Sequence, residues 1–162
     1  MPRNLVINAG NLRVLLESPV FLSALSSWFL AQLLKTLIIL FRRRRPSVKD
    51  MALTVLWKTG GMPSSHSALV TSLAVSIGFS EGFSSNLFIV TLAFTLIVMR
   101  DSLGVRRSSG IQARVLNQLG RQIAPTSGIE FTPVKEVQGH TPLEVIVGGL
   151  LGLFIGIAFA VL

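Results

Sequence analysis

The sequence predicts an all-α integral membrane protein, a helical bundle of about four transmembrane helices with an N-terminal interfacial segment, and three observations carry that prediction. Half of the 162 residues are hydrophobic and the mean hydropathy is +0.65, too apolar for an ordinary water-soluble domain of this length. The apolar residues gather into runs suited to a hydrocarbon core of roughly 30 Å, which takes about 20 helical residues to cross. The basic residues fall mostly in the connections between those runs, so the net charge of +8 reads as a topology signal and not as a nucleic-acid surface. No cysteine is present, which excludes disulfides, thiolate metal sites and a cysteine nucleophile.

In chain order, residues 1–18 mix Leu5, Val6, Ile7, Leu12, Val14, Leu15 and Leu16 with Asn4, Asn8, Asn11, Arg3, Arg13 and Glu17, the pattern of an amphipathic helix lying in the membrane interface. No cleavage-site pattern follows a short apolar core, so this segment is not read as a signal peptide. Residues 19–41 form the first span. It contains Gln32 and Lys35, and a lysine in hydrocarbon costs on the order of 2.5–3.5 kcal/mol unless it snorkels to the interface or meets a partner. Arg42 lies seven residues beyond Lys35 on the same helix face, so the pair either snorkels or suits a polyanionic ligand. The basic loop 42–64 opens with Arg42, Arg43, Arg44 and Arg45.

The second span, 67–79, is short and rich in Ala, Ser and Gly, as expected where helices pack closely in lipid. A tight return around Glu81 and Gly82 leads into the third span, 86–103, which makes a hairpin with the second. The second basic loop, 106–139, is expected to hold a short helix near residues 111–119 and then irregular chain broken at Gly120, Pro125, Gly128 and Pro133. The fourth span, 142–162, carries Gly148, Gly152 and Gly156 at four-residue spacing, a close-packing signal. All of this is one membrane domain. With both basic loops inside, four spans put the termini outside, and the protein is expected to be multi-pass in the cell membrane.

That orientation collects the unusual polar residues at one face. Gly60-Gly61-Met62-Pro63-Ser64-Ser65-His66-Ser67 runs from a glycine-led loop into an apolar segment, and unpaired N–H groups at such a helix start favour an anion such as phosphate. Ser64 or Ser65 either caps the helix or faces that anion, and His66 is placed to donate a proton. Arg100 to Arg107 leave the third span at the same face, with Asp101 expected to pair with Arg100 or Arg106. His140 precedes Thr141-Pro142-Leu143-Glu144, a capping box with proline at the first helical position. Glu144 there either caps the helix or accepts the His140 ring N–H and fixes its tautomer, and a carboxylate has oxygens for both.

These residues resemble a family. Pro63-Ser64-Ser65-His66 is similar to the Pro-Ser-Gly-His motif of the type 2 phosphatidic acid phosphatase superfamily, and His140 with Glu144 resembles its His-x3-Asp motif. Gly60 to Ala68, Asp101, Gly104-Val105-Arg106-Arg107, Gln112-Ala113, Leu116-Asn117 and Gly139 to Val145 together are similar to a divergent branch of small membrane proteins, over about residue 19 to the C-terminus. The resemblance implies that His140 attacks phosphorus to give a phosphohistidine and that His66 protonates the leaving oxygen. It places Ser65, with Ser64 beside it, on the phosphate and Lys35 with Arg42 in the first motif. It implies no metal and no cofactor.

Three positions differ from the superfamily pattern: proline follows Arg45 and not Arg42, Val134 with Lys135 stands where an arginine precedes the nucleophile, and serine replaces the glycine. Arg106 or Arg107 is the expected substitute for that missing arginine. The function so implied is hydrolysis of a lipid-linked phosphate or isoprenoid (pyro)phosphate at the cytoplasmic face. The alternative is a non-catalytic phosphate- or lipid-binding membrane protein of the same fold. Membrane lipids are the expected surroundings, nucleic acid is not an expected partner, and self-association is left open.

Overall fold

The computed structural model describes residues 9–42, 61–136 and 139–162, and these form six helices and no strand. They are α1 (Ala9–Glu17), α2 (Pro19–Arg42), α3 (Ser65–Glu81), α4 (Asn86–Leu103), α5 (Val105–Ser127) and α6 (Pro142–Val161). Local chemistry sets most of their ends. Ser64 caps α3 by accepting the Ser67 N–H, and Ser85 caps α4 by accepting the Phe88 N–H at 3.2 Å. α6 starts on the full capping box, with Pro142 in its first turn. Between α3 and α4 the chain turns through Gly82 at φ +89°, a conformation that a side chain would strain.

α2, the run from α4 into α5, and α6 are long and apolar enough to cross a membrane. The segment expected as the second span lies within α3, which has 17 residues and sits at the centre, packed against α2, α4 and α6. Most of its buried positions are small: Ser65, Ser67, Ala68, Ser72, Ala74, Ser76 and Gly78, with Val70 and Ile77 the larger ones. The bulky side chains point the other way, with Phe29 on α2, Ile97 on α4 and Phe154 on α6 all more than half exposed. This is the arrangement of helices that pack in lipid, where small residues allow close approach and apolar bulk faces the tails.

The closest approach is between α3 and α6. Gly148 lies against the Ser64 backbone and Gly152 against the Ala68 carbonyl, so that a Cβ at either would collide with main chain. Hydroxyl groups add interhelical bonds: Ser23 and Ser76 Oγ are 2.7 Å apart between α2 and α3, and Thr95 Oγ1 donates to the Val70 carbonyl at 3.0 Å between α4 and α3. Such bonds in membrane proteins average about 0.6 kcal/mol, so glycine packing is the larger contributor to helix order here.

The second basic loop departs from expectation. In place of a short helix near 111–119, α5 runs for 23 residues and carries Pro125 in its last turns, ending at Gly128 in the left-handed region, φ +66°. The irregular chain that follows folds back and is pinned to α5. Asn117, buried, donates through Nδ2 to the Val134 carbonyl at 2.8 Å and accepts the Val134 N–H on Oδ1 at 2.8 Å, while the Phe131 ring lies on Gly120. The Asn117 amide and Arg114 both hold the Glu136 carboxyl below the usual carboxylate range, the amide more strongly. Replacing Asn117 with Ala leaves the two Val134 backbone groups unpaired, at about 1–3 kcal/mol for the lost pairing. Hydrogen exchange at the Val134 amide is expected to approach the free-chain rate while the amides of α3 and α6 stay protected.

Candidate active site

Four segments meet at one end of the bundle. The Ser64 N–H donates to the Glu144 carbonyl at 2.9 Å, tying the start of α3 to the first turn of α6. The His140 N–H donates to the Ser102 carbonyl at 3.2 Å, and Gly139 lies directly on the Arg107 backbone, so the chain entering α6 is fastened to the junction of α4 and α5. From α2, Lys35 reaches in. It is 2% exposed and therefore faces protein and does not snorkel out. With Ile38, Ile39, Gly61, Met62, Thr141, Leu143 and Glu144 it lines a cleft of about 300 Å³.

The two histidines converge at this end. Their ring centroids lie 6.3 Å apart with the planes tilted by 57°. His66, in the first turn of α3, is exposed, whereas His140 is buried and its Nε2 has no hydrogen-bond partner among the described residues. Burial pushes the His140 imidazole below the usual histidine range; Glu144 opposes this, and the charges of Lys35, His66 and Arg106 reinforce it. Burial therefore favours the neutral imidazole of His140, the form in which a ring nitrogen carries a free lone pair.

Glu144 performs the capping role. Its Oε2 accepts the Thr141 N–H at 2.9 Å, and the same oxygen stands 3.9 Å from His140 Nδ1, too far for a hydrogen bond but close enough to interact with a positive ring. Ser64 likewise caps: its Oγ accepts from the Ser67 N–H at 3.4 Å and from the Ser67 hydroxyl at 3.0 Å. Ser65 is buried beside it. Of the arginines, Arg106 is paired through Nε with Asp101 Oδ2 at 2.6 Å, one of the two partners expected for Asp101. The Arg107 side chain is exposed, and that residue meets the site through its backbone at Gly139. Arg42 ends α2; its side chain, and residues 43–60 with Arg43, Arg44 and Arg45, lie outside the described residues.

Two contributors were not read from the sequence. The Ser102 carbonyl positions His140 through a backbone bond, which no residue type advertises. Ile38 and Ile39 form the apolar wall of the cleft, and their spacing of three and four from Lys35 is the signal that places all three on one helix face.

The sequence pattern of the divergent PAP2 family matches residues 16–155. The chain belongs to that family. It is also 36% identical over 157 residues to an uncharacterized membrane protein of Bacillus subtilis (strain 168), YuiD, an alignment covering 90% of this chain and 96% of the relative. No solved structure matches the chain. The matched range includes every residue lining the cleft, Lys35 and Glu144 among them, and also His66 and His140, which stand beside the cleft and do not line it. The chain is a helical membrane protein of that family.

Proposed function

We propose that this divergent PAP2 protein is a membrane phosphatase acting on a lipid-linked phosphate or pyrophosphate through a phosphohistidine. The observation that carries the reading is the convergence of the two imidazoles, one buried and one at the surface, beside a buried lysine. His140 Nε2 attacks phosphorus as the bond to the bridging oxygen breaks, and protonated His66 gives its proton to that leaving oxygen. Water then attacks the phosphohistidine, neutral His66 takes the proton of that water, and phosphate leaves. Fixed cations stabilise the spread negative charge of such a transition state, which is the role of Lys35, Arg42, Arg106 and Arg107. Ser65, at the positive end of α3 beside the capping Ser64, orients the phosphoryl oxygens. Glu144 steadies the imidazolium that His140 becomes when phosphorylated. The apolar wall of Ile38, Ile39 and Leu143 takes the start of the lipid tail.

The pairing of Arg106 with Asp101 and of Glu144 with its own helix cap favours a second reading, a phosphate- or lipid-binding protein without turnover. Purified protein given lipid phosphates separates the two: release of inorganic phosphate, lost in His140→Ala, supports the phosphatase, whereas binding without release at any pH or chain length supports the alternative. The basic connections support a site at the cytoplasmic face of the cell membrane. A cysteine at exposed Thr132 should be labelled only from the cytoplasmic side and one at Ser84 only from outside, since the chain has no cysteine of its own.

A lowered His140 pKa also sets a pH dependence. The folded protein favours the neutral ring, so the fold is unaffected above about pH 6.5, the ordinary histidine value, and loses stability as pH falls from there toward the lowered folded value. Thermal unfolding in detergent should show a midpoint that drops between pH 7 and 5, and His140→Gln should flatten that drop.

A further inference from the structure

α5 stands apart from the site chemistry, and its two faces differ. Arg107, Arg114 and Arg121 recur every seven residues along one side, with Arg106 near them. Val105, Val115, Leu116, Leu119 and Ile123 line the other, each close to half exposed or more. Among the described residues α5 packs on α4 and on no other helix. Leu116, Leu119, Gly120, Ile123, Ile129 and Phe131 enclose an apolar hollow of about 300 Å³ on this surface. Only Gly104 separates α5 from α4, a helix in a run long and apolar enough to cross a membrane, which favours a start of α5 near the level where hydrocarbon gives way to head groups.

We propose that α5 is a membrane-surface helix that docks on a leaflet bearing anionic lipids. Its apolar face sinks into the boundary of the acyl chains, and the Arg114 and Arg121 guanidiniums attract lipid phosphates around it. An apolar face of this extent facing water is unfavourable, the exposed apolar surface of α4 ends at Ile97, about two turns before Gly104, and the arginine stripe supplies the charge complement. Phe131 and the bonds of Asn117 hold residues 129–134 against the helix, so that Ile129 and Phe131 widen the inserted surface. A docked α5 also fixes the junction at Gly104 from which Ser102 and Arg107 hold the chain at Gly139 and His140.

The full chain is reconstituted in phosphatidylcholine vesicles with or without phosphatidylglycerol, with spin labels on single cysteines at Leu119, Ile123, Gln118 and Gln122. Docking predicts labels at 119 and 123 accessible to oxygen and shielded from a water-soluble nickel chelate, the reverse at 118 and 122, and a larger docked fraction with phosphatidylglycerol. The double variant Arg114→Gln, Arg121→Gln should lower the ratio of docked to undocked helix by about fivefold per arginine in the anionic vesicles and little in the neutral ones. Nickel access at all four positions overturns the proposal, as does label–label broadening at 119 and 123 that dilution with unlabelled protein removes, which assigns the face to a second copy. An unchanged docked fraction in the double variant overturns the anionic-lipid assignment.

Discussion

His140→Ala is expected to abolish phosphate release from every ester, whereas His66→Ala should spare formation of the phosphoprotein from esters whose leaving group needs no proton. The difference follows from the two roles proposed above. Without His140 there is no nitrogen to form the bond to phosphorus, and loss of a nucleophile is expected to cost on the order of 10⁴–10⁶-fold in kcat. Without His66 the nucleophile remains; proton donation to the departing oxygen is lost, and so is the base that takes the proton of the attacking water in the second step. For a lipid alkoxide the missing acid slows phosphorylation of His140 by about 10²–10⁴-fold, while a nitrophenolate leaves unaided, so the deficit in that first step should nearly vanish and only the dephosphorylation step stays slow. Rapid acid-free quenching with labelled nitrophenyl phosphate should trap an acid-labile, base-stable phosphoprotein in wild type and in His66→Ala, and none in His140→Ala. Equal losses of phosphoprotein formation on both classes of ester in the two variants would place both imidazoles in binding and remove the division of labour.

The largest effect on stability is expected at Gly148 and Gly152. At Gly148 an added side chain meets the Ser64 backbone and at Gly152 the Ala68 carbonyl, atoms belonging to the first turns of α3, which cannot turn aside. Overpacking usually costs 1–3 kcal/mol, and because relief here requires two helices to separate, Gly152→Leu is expected to cost about 3 kcal/mol or more, a large part of a typical domain's stability. Gly149 is the control. A Cβ there meets the flexible end of Met99 at 3.4 Å and Thr71 Oγ1 at 3.7 Å, so Gly149→Ala should be neutral or slightly stabilising. Thermal unfolding in detergent distinguishes the three. Gly148→Ala has a second readout, because moving α6 from Ser64 breaks the bond to the Glu144 carbonyl and carries His140 away from His66. Its activity should fall at temperatures where it is still folded.

Much of the architecture was legible because its signals are local. Apolar run length, Ser and Thr caps and the four-residue glycine spacing each depend on a few neighbouring residues. The length of α5 was not legible: Gly120 and Pro125 read as breaks, yet Pro125 falls in the last turns and Gly120 accepts the Phe131 ring, a contact that depends on chain returning from residues 129–136. At the site, residue types drew attention to His66, His140 and Lys35. Their types did not say which ring is buried, that Lys35 turns inward, or that Glu144 spends its carboxylate on the Thr141 N–H while standing 3.9 Å from the imidazole.

By itself, then, the sequence determined the solvent, the helices and the list of chemically unusual residues, because hydropathy, capping and charge act over one or two helical turns. Only the tertiary structure decided which of those residues share a site. His66 and His140 lie at the starts of different helices, and their separation of 6.3 Å exists because glycines let α6 settle on the backbone of α3 and because Ser102 holds the chain that enters it. Distance between groups far apart in the chain is a property of packed backbones, and no short stretch of residues contains it.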